Sequence, residues 1–139
     1  MRSALLLAFL LCACSDSTGA RQVRSVGFID TGGEMHYRYT VVEAPASARA
    51  GVPFQVEVVT FGSSSCTRED GAEVSVNGLL AEVTPYDILD VDQGCTPDVH
   101  PFPRAATVRF ASAGSATLRV IGRGGEGLVR YDVPITVTP

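Results

Sequence analysis

Apolar and polar positions alternate with period two along most of the chain, and no stretch keeps the 3.6-residue period of an amphipathic helix. Val26 to Ile29 predicts a short first strand, and Asp30-Thr31-Gly32-Gly33 a turn. Met35, Tyr37, Tyr39 and Val41 alternate with His36, Arg38 and Thr40, which predicts a second strand ending at Ala44-Pro45. Ala50-Gly51-Val52-Pro53 opens the next, in which Phe54, Val56 and Val58 alternate with Gln55 and Glu57 to give one buried face and one wet face. Val74 and Val76 then alternate with Glu73 and Ser75, and Leu79, Ala81 and Val83 with Leu80 and Glu82. Asn77-Gly78 between these runs predicts a hairpin, because a type I′ turn needs positive φ at both central residues and Asn-Gly supplies it.

Pro85 to Arg104 interrupts the alternation with four prolines, four aspartates, Gly94 and Cys95, and reads as one long loop. Regular pattern returns with Val108 and Phe110 flanking Arg109, then Leu118 and Val120 flanking Arg119. Gly122-Arg123-Gly124-Gly125 predicts a turn. Val129, Tyr131, Val133, Ile135 and Val137 form one face of a long final strand. Pro134 cannot donate a ladder hydrogen bond, which puts that strand at an edge or at a bulge.

The 139-residue chain is long enough for one domain. About seven short strands with regular turn signals predict a single all-β domain, an antiparallel β-sandwich over residues 23–139. Ala50-Gly51-x-Pro53-Phe54-x-Val56-x-Val58 and Phe110-x-x-Ala113-Gly114-x-Ala116-x-Leu118-x-Val120 resemble strand openings of bacterial immunoglobulin-like envelope domains. That resemblance implies an immunoglobulin-like sandwich of about seven strands.

The first residues follow another pattern. Met1 and Arg2 precede an unbroken apolar run, Ala4 to Leu11, too short for the roughly 20 residues of a spanning helix. This is the layout of a signal peptide, here residues 1–13. Leu11-Cys12-Ala13-Cys14-Ser15 resembles the lipobox of bacterial lipoproteins. The resemblance implies cleavage after Ala13, lipidation of Cys14 and attachment to the cell envelope. Ser15 in the following position implies the outer membrane. Residues 14–22, polar and small after the cysteine, read as the lipidated residue and a flexible tether.

Of the four cysteines, Cys12 leaves with the signal and Cys14 takes lipid. Cys66 and Cys95 remain, and in an oxidising compartment they read as a disulfide. A bridge closing about 30 residues contributes roughly 3 kcal/mol on the chain-entropy model. The formal net charge is −4 and no basic run exists, which argues against a nucleic-acid partner.

Candidate chemistry concentrates in the predicted loop. Asp87, Asp90 and Asp92 beside Gly94 are weak calcium candidates, since the spacing lacks the terminal Glu of an EF-hand. His36, beside Met35, and His100 are the only histidines, far apart and outside any copper motif. Gly62-Ser63-Ser64-Ser65-Cys66 lacks the second glycine of a nucleophile elbow. No catalytic constellation emerges, and no cofactor is expected.

Pro101-Phe102-Pro103-Arg104 is the most distinctive stretch, because proline stiffens the backbone that presents Phe102. Asp98, His100, Phe102 and Arg104 form the candidate interaction loop. The expectation is a non-catalytic envelope lipoprotein, held to the membrane by its N-terminal lipid, that binds a protein or glycan. The alternative is a protease-inhibitor-like or metal-binding lipoprotein handling calcium or copper.

Overall fold

The computed structural model describes residues 21–33 and 38–139. The expected signal peptide, Cys14, most of the expected tether, and Met35, His36 and Tyr37 lie outside the described residues. Among those described, every regular element is a strand.

The elements are β1 (Gln22–Val26), β2 (Val42–Glu43), β3 (Ser47–Arg49), β4 (Phe54–Ser64), β5 (Thr67–Asn77), β6 (Leu80–Asp90), β7 (Pro97–Val108), β8 (Gly114–Gly124) and β9 (Gly127–Thr138). They form two sheets. The larger has β6 near one side, with β5 along one of its edges. The other edge of β6 takes β1 at residues 86–90 and β8 at residues 80–83, one after the other. β9 and then β3 complete this sheet. The smaller sheet is β2-β4-β7.

Burial alternates as a two-layer fold requires. Val56 and Val58 of β4, Ala106 and Val108 of β7, Ala81 and Val83 of β6, Leu118 and Val120 of β8, and Ile135 and Val137 of β9 are buried in one cluster with Phe110 and Ile29. The architecture is a β-sandwich. Two pairings, β6 with β8 and β3 with β9, are parallel, so the purely antiparallel expectation is corrected. The reason is connectivity: β6 reaches β8 only after the chain has crossed to the opposite sheet as β7.

The sheets meet at one corner. Gly27 N donates to the Pro85 carbonyl, and the Gly27 carbonyl accepts from Arg123 N. Phe61 N donates to the Phe28 carbonyl. Phe28 thus pairs with β8 of one sheet and β4 of the other.

Several expectations shift. The first strand lies at Gln22–Val26 rather than 26–29, so Gln22, assigned to the tether, is already in the sheet. Of the strand expected across residues 35–41, the described part is turn and bend, and only Val42–Glu43 pairs with β4. The hairpin exists, but its loop is Gly78–Leu79, closed by Asn77 opposite Leu80. Gly78 has φ +60°, and no described non-glycine residue has positive φ, so the turn is of the II′ kind with glycine first. The β8–β9 turn falls at Gly125–Glu126. Pro134 sits opposite Thr117 of β8, and β3 pairs with β9 only at residues 136–138, which leaves the proline's other side open.

The largest correction concerns residues 85–104. β6 continues to Asp90 and β7 begins at Pro97, leaving a loop of residues 91–96 only. Pro97, Pro101 and Pro103 stand in β7, which pairs with β4 alone. Proline is compatible with a strand that has one unpaired edge, and there it discourages further pairing.

Candidate functional site

The end of the sandwich where β6 leaves for β7 gathers most of the residues singled out from the sequence. Cys66, in the β4–β5 turn, and Cys95, in the 91–96 loop, form a disulfide. The turn and loop are tied a second time. Ser65 N donates to the Thr96 carbonyl, and Thr96 N donates to Ser65 Oγ, both at 3.1 Å. Ser64 Oγ lies 3.1 Å from Thr67 Oγ1 and accepts weakly from Cys66 N. The serine run is therefore turn chemistry that holds the bridge in place.

Asp98, His100, Phe102 and Arg104 belong to a strand and not to a loop. Their period-two spacing puts all four on the face of β7 that also carries the buried Ala106 and Val108. They form a row that runs from solvent into the interior. Asp98 is exposed, and its Oδ2 lies 3.4 Å from His100 Nδ1. The His100 ring meets Phe102 edge-on with centroids 4.5 Å apart. Phe102 is half-buried, and its ring lies 5.8 Å from the Arg104 guanidinium. Gly62 of β4 makes this packing possible, since a Cβ there would sit 2.9 Å from Phe102 Cε2.

Arg104 ends the row, with a side chain 3% exposed, in an ion pair between its Nη2 and Oδ1 of Asp87, itself 4% exposed. The pair joins β7 of one sheet to β6 of the other. Arg104 Nε and Nη1 and Thr60 Oγ1 are buried nearby without a hydrogen-bond partner in the protein. Gly27 leaves room for this group, because a Cβ would meet Thr60 Cγ2 at 2.7 Å and Arg104 Nη1 at 3.2 Å. A buried arginine cannot be offered to a partner's cleft, so Arg104 acts inside the domain. Thr60, Gly27 and Gly62 were missed by sequence reasoning. The available signal was the alternation His100-Phe102-Arg104-Ala106-Val108, which the intervening prolines obscured.

No family model, curated protein or solved structure matches the chain.

The three aspartates weighed for calcium diverge. Asp87 faces the interior with Arg104, Asp90 accepts from Arg68 Nη1 at 2.6 Å, and Asp92 accepts from Arg21 N at 2.6 Å. Among the described residues no three His, Cys, Asp or Glu side chains gather as a metal group. His36 lies outside those residues. No described helix is long and apolar enough to cross a membrane.

What remains accessible at this end is the pinned tip. Residues 92–99 are all exposed. Val99 is 59% exposed and Leu128, just after the β8–β9 turn, 69%, the highest values among exposed large apolar residues of the described chain. Phe28 bridges both Phe61 and Arg123, so this turn stands level with the start of β7. Both residues therefore crown the same end of the sandwich.

Proposed function

We propose that the chain is a non-catalytic cell-envelope lipoprotein whose sandwich, of the immunoglobulin-like type, binds a protein or glycan partner through the disulfide-pinned tip at residues 92–99. One observation carries the reading: a short exposed segment, cross-linked to the adjacent turn by a disulfide and two hydrogen bonds, shares its end of the domain with the exposed Val99 and Leu128. Preorganised surfaces bind with less loss of conformational entropy, and apolar side chains at their centre supply affinity. Support for the immunoglobulin-like type comes from the strand crossings between sheets and from Phe28, which pairs with both. The lipid anchor rests on Leu11-Cys12-Ala13-Cys14.

The test is in-cell photocrosslinking from Gln93 or Val99, with Val52, at the opposite end of β4, as the control position. A single dominant adduct from the tip that is absent from Val52 supports the reading. A diffuse background from every position refutes it. In the same cells Cys14→Ala moves the protein out of the membrane fraction, and a variant that stays membrane-bound refutes the anchor.

A further inference from the structure

Five strands have a neighbour on one side only, and four of those edges are short or carry proline. β1, β2 and β3 are five, two and three residues long, and β7 carries three prolines. The fifth is β5, eleven residues that pair with β6 alone. Its first half is interrupted by the irregularity between Glu69 and Ala72, which disrupts an edge. Its second half, Ala72 to Asn77, is regular, carries no proline and is open.

The direction of the free groups follows from the hairpin. A two-residue loop makes the closing pair, Asn77 and Leu80, the doubly hydrogen-bonded one, and the pattern alternates from there. Glu73, Ser75 and Asn77 therefore bond to β6, while Ala72, Val74 and Val76 turn their N–H and C=O groups to the open edge. The far side of β6 agrees. The carbonyls of Pro85 and Leu79 accept from Gly27 and Thr117, away from β5.

The side chains add a second feature. Val74 and Val76 pair with Val83 and Ala81, which are wholly buried, so they share the inward face of the sheet. Yet they are 39% and 42% exposed.

We propose that this edge joins two copies of the chain, β5 pairing antiparallel with β5 of the second copy about a twofold axis at Ser75. In that register Val74 of one copy exchanges both backbone hydrogen bonds with Val76 of the other, using only the groups that β6 leaves free. The four valines come together on one face, as a self-complementary interface requires. Charge favours this register, although each Glu73 carboxylate is also paired with Arg24 Nη1 at 3.0 Å within its own copy. Glu73 falls opposite the neutral Asn77, and the two Glu73 carboxylates lie about 13 Å apart along the strands. An axis at Val74 would bring those carboxylates to neighbouring diagonal positions. The interface is one short edge, at the small end of the range for specific contacts, so the dimer is reversible.

The full chain with Ser75→Cys tests the geometry. Across the axis two such residues form a non-hydrogen-bonded pair with Cα atoms about 4.5 Å apart, within disulfide reach. A disulfide-linked dimer is expected, and retention of the Cys66–Cys95 bridge, mapped by mass spectrometry, reports that the fold is intact. Glu73→Cys is expected to give little dimer, because its partner lies beyond bridging distance. Adding Val74→Lys and Val76→Lys to Ser75→Cys is expected to remove the dimer. No dimer from Ser75→Cys, or equal yields from Glu73→Cys, overturns the proposal. The unmodified chain gives a second reading. Exchange of the Val74 and Val76 amides slows as protein concentration rises if the edge pairs, and concentration-independent exchange overturns it.

Discussion

Removing Arg104 from its pair with Asp87 is the sharpest perturbation this fold offers. Both side chains are almost wholly buried, at 3% and 4% exposure, so neither is stabilised by bulk water. Arg104→Met keeps much of the aliphatic stem but leaves the Asp87 carboxylate in the interior with its cationic partner gone. Loss of one member of a buried pair costs about 3–5 kcal/mol, most of it the uncompensated charge left behind. Arg104 already has two nitrogens without partners, so the pair itself is an imperfect one. Replacing both members therefore costs far less than replacing one. Arg104→Met with Asp87→Leu is expected to recover most of the loss, since apolar replacement of a buried pair is often neutral. The assay is urea denaturation of the domain with its disulfide intact, analysed as a double-mutant cycle with Asp87→Leu alone as the fourth corner. A coupling energy above about 2 kcal/mol is expected. If Arg104→Met costs less than about 1 kcal/mol, the range of a surface ion pair, the assignment of this pair to the sandwich interior is wrong.

Three further outcomes follow from local geometry. Cys95→Ala opens the loop that Cys66 and Cys95 close and is expected to lower stability by about 2–5 kcal/mol, read as a lower denaturation midpoint; an unchanged midpoint means the bridge does not hold the loop. Gly122→Ala places a methyl group against the side chain of Ile29 in the core and is expected to cost about 1–3 kcal/mol by overpacking, with wild-type stability refuting the contact. Arg119 donates to both oxygens of Asp132, and these hydrogen bonds hold the Asp132 carboxyl below its ordinary range despite partial desolvation. A lowered folded-state value makes the contribution present above the unfolded-state value and lost as pH falls through the folded one. Solvent screening keeps it small, so the readout is an NMR titration, in which Arg119→Gln returns the midpoint of Asp132 upward.

The all-β class, the β4 face at Val56 and Val58, the β9 face at Ile135 and Val137, and the Cys66–Cys95 bridge were legible because each depends on local period or on counting. Period two is a property of the strand itself, and with Cys12 and Cys14 set aside as the expected signal and lipid cysteines, the remaining two have one pairing. The hairpin was legible to within a residue. Asn-Gly announces a turn, but the type depends on which residue takes positive φ, and here the register placed Gly78 first with Leu79 second. The loop expected over residues 85–104 failed for a nonlocal reason. Proline argues against a strand only when both edges are paired, and nothing local reveals that β7 has one open edge.

The same limit explains the candidate residues. Asp98, His100, Phe102 and Arg104 were expected in an exposed interaction loop; they lie along β7 instead, and burial is set by the layer opposite. Only the second sheet turns that row from a displayed surface into a path that ends on Asp87. The sequence by itself determined the all-β class, the inward faces of β4 and β9 and the Cys66–Cys95 staple, because those follow from local strand period and from counting cysteines. Tertiary structure alone decided which edges stay open, that Arg104 is internal, and that Val99 and Leu128 share one end, because each depends on strands that lie far apart in the chain and meet only when the two sheets pack.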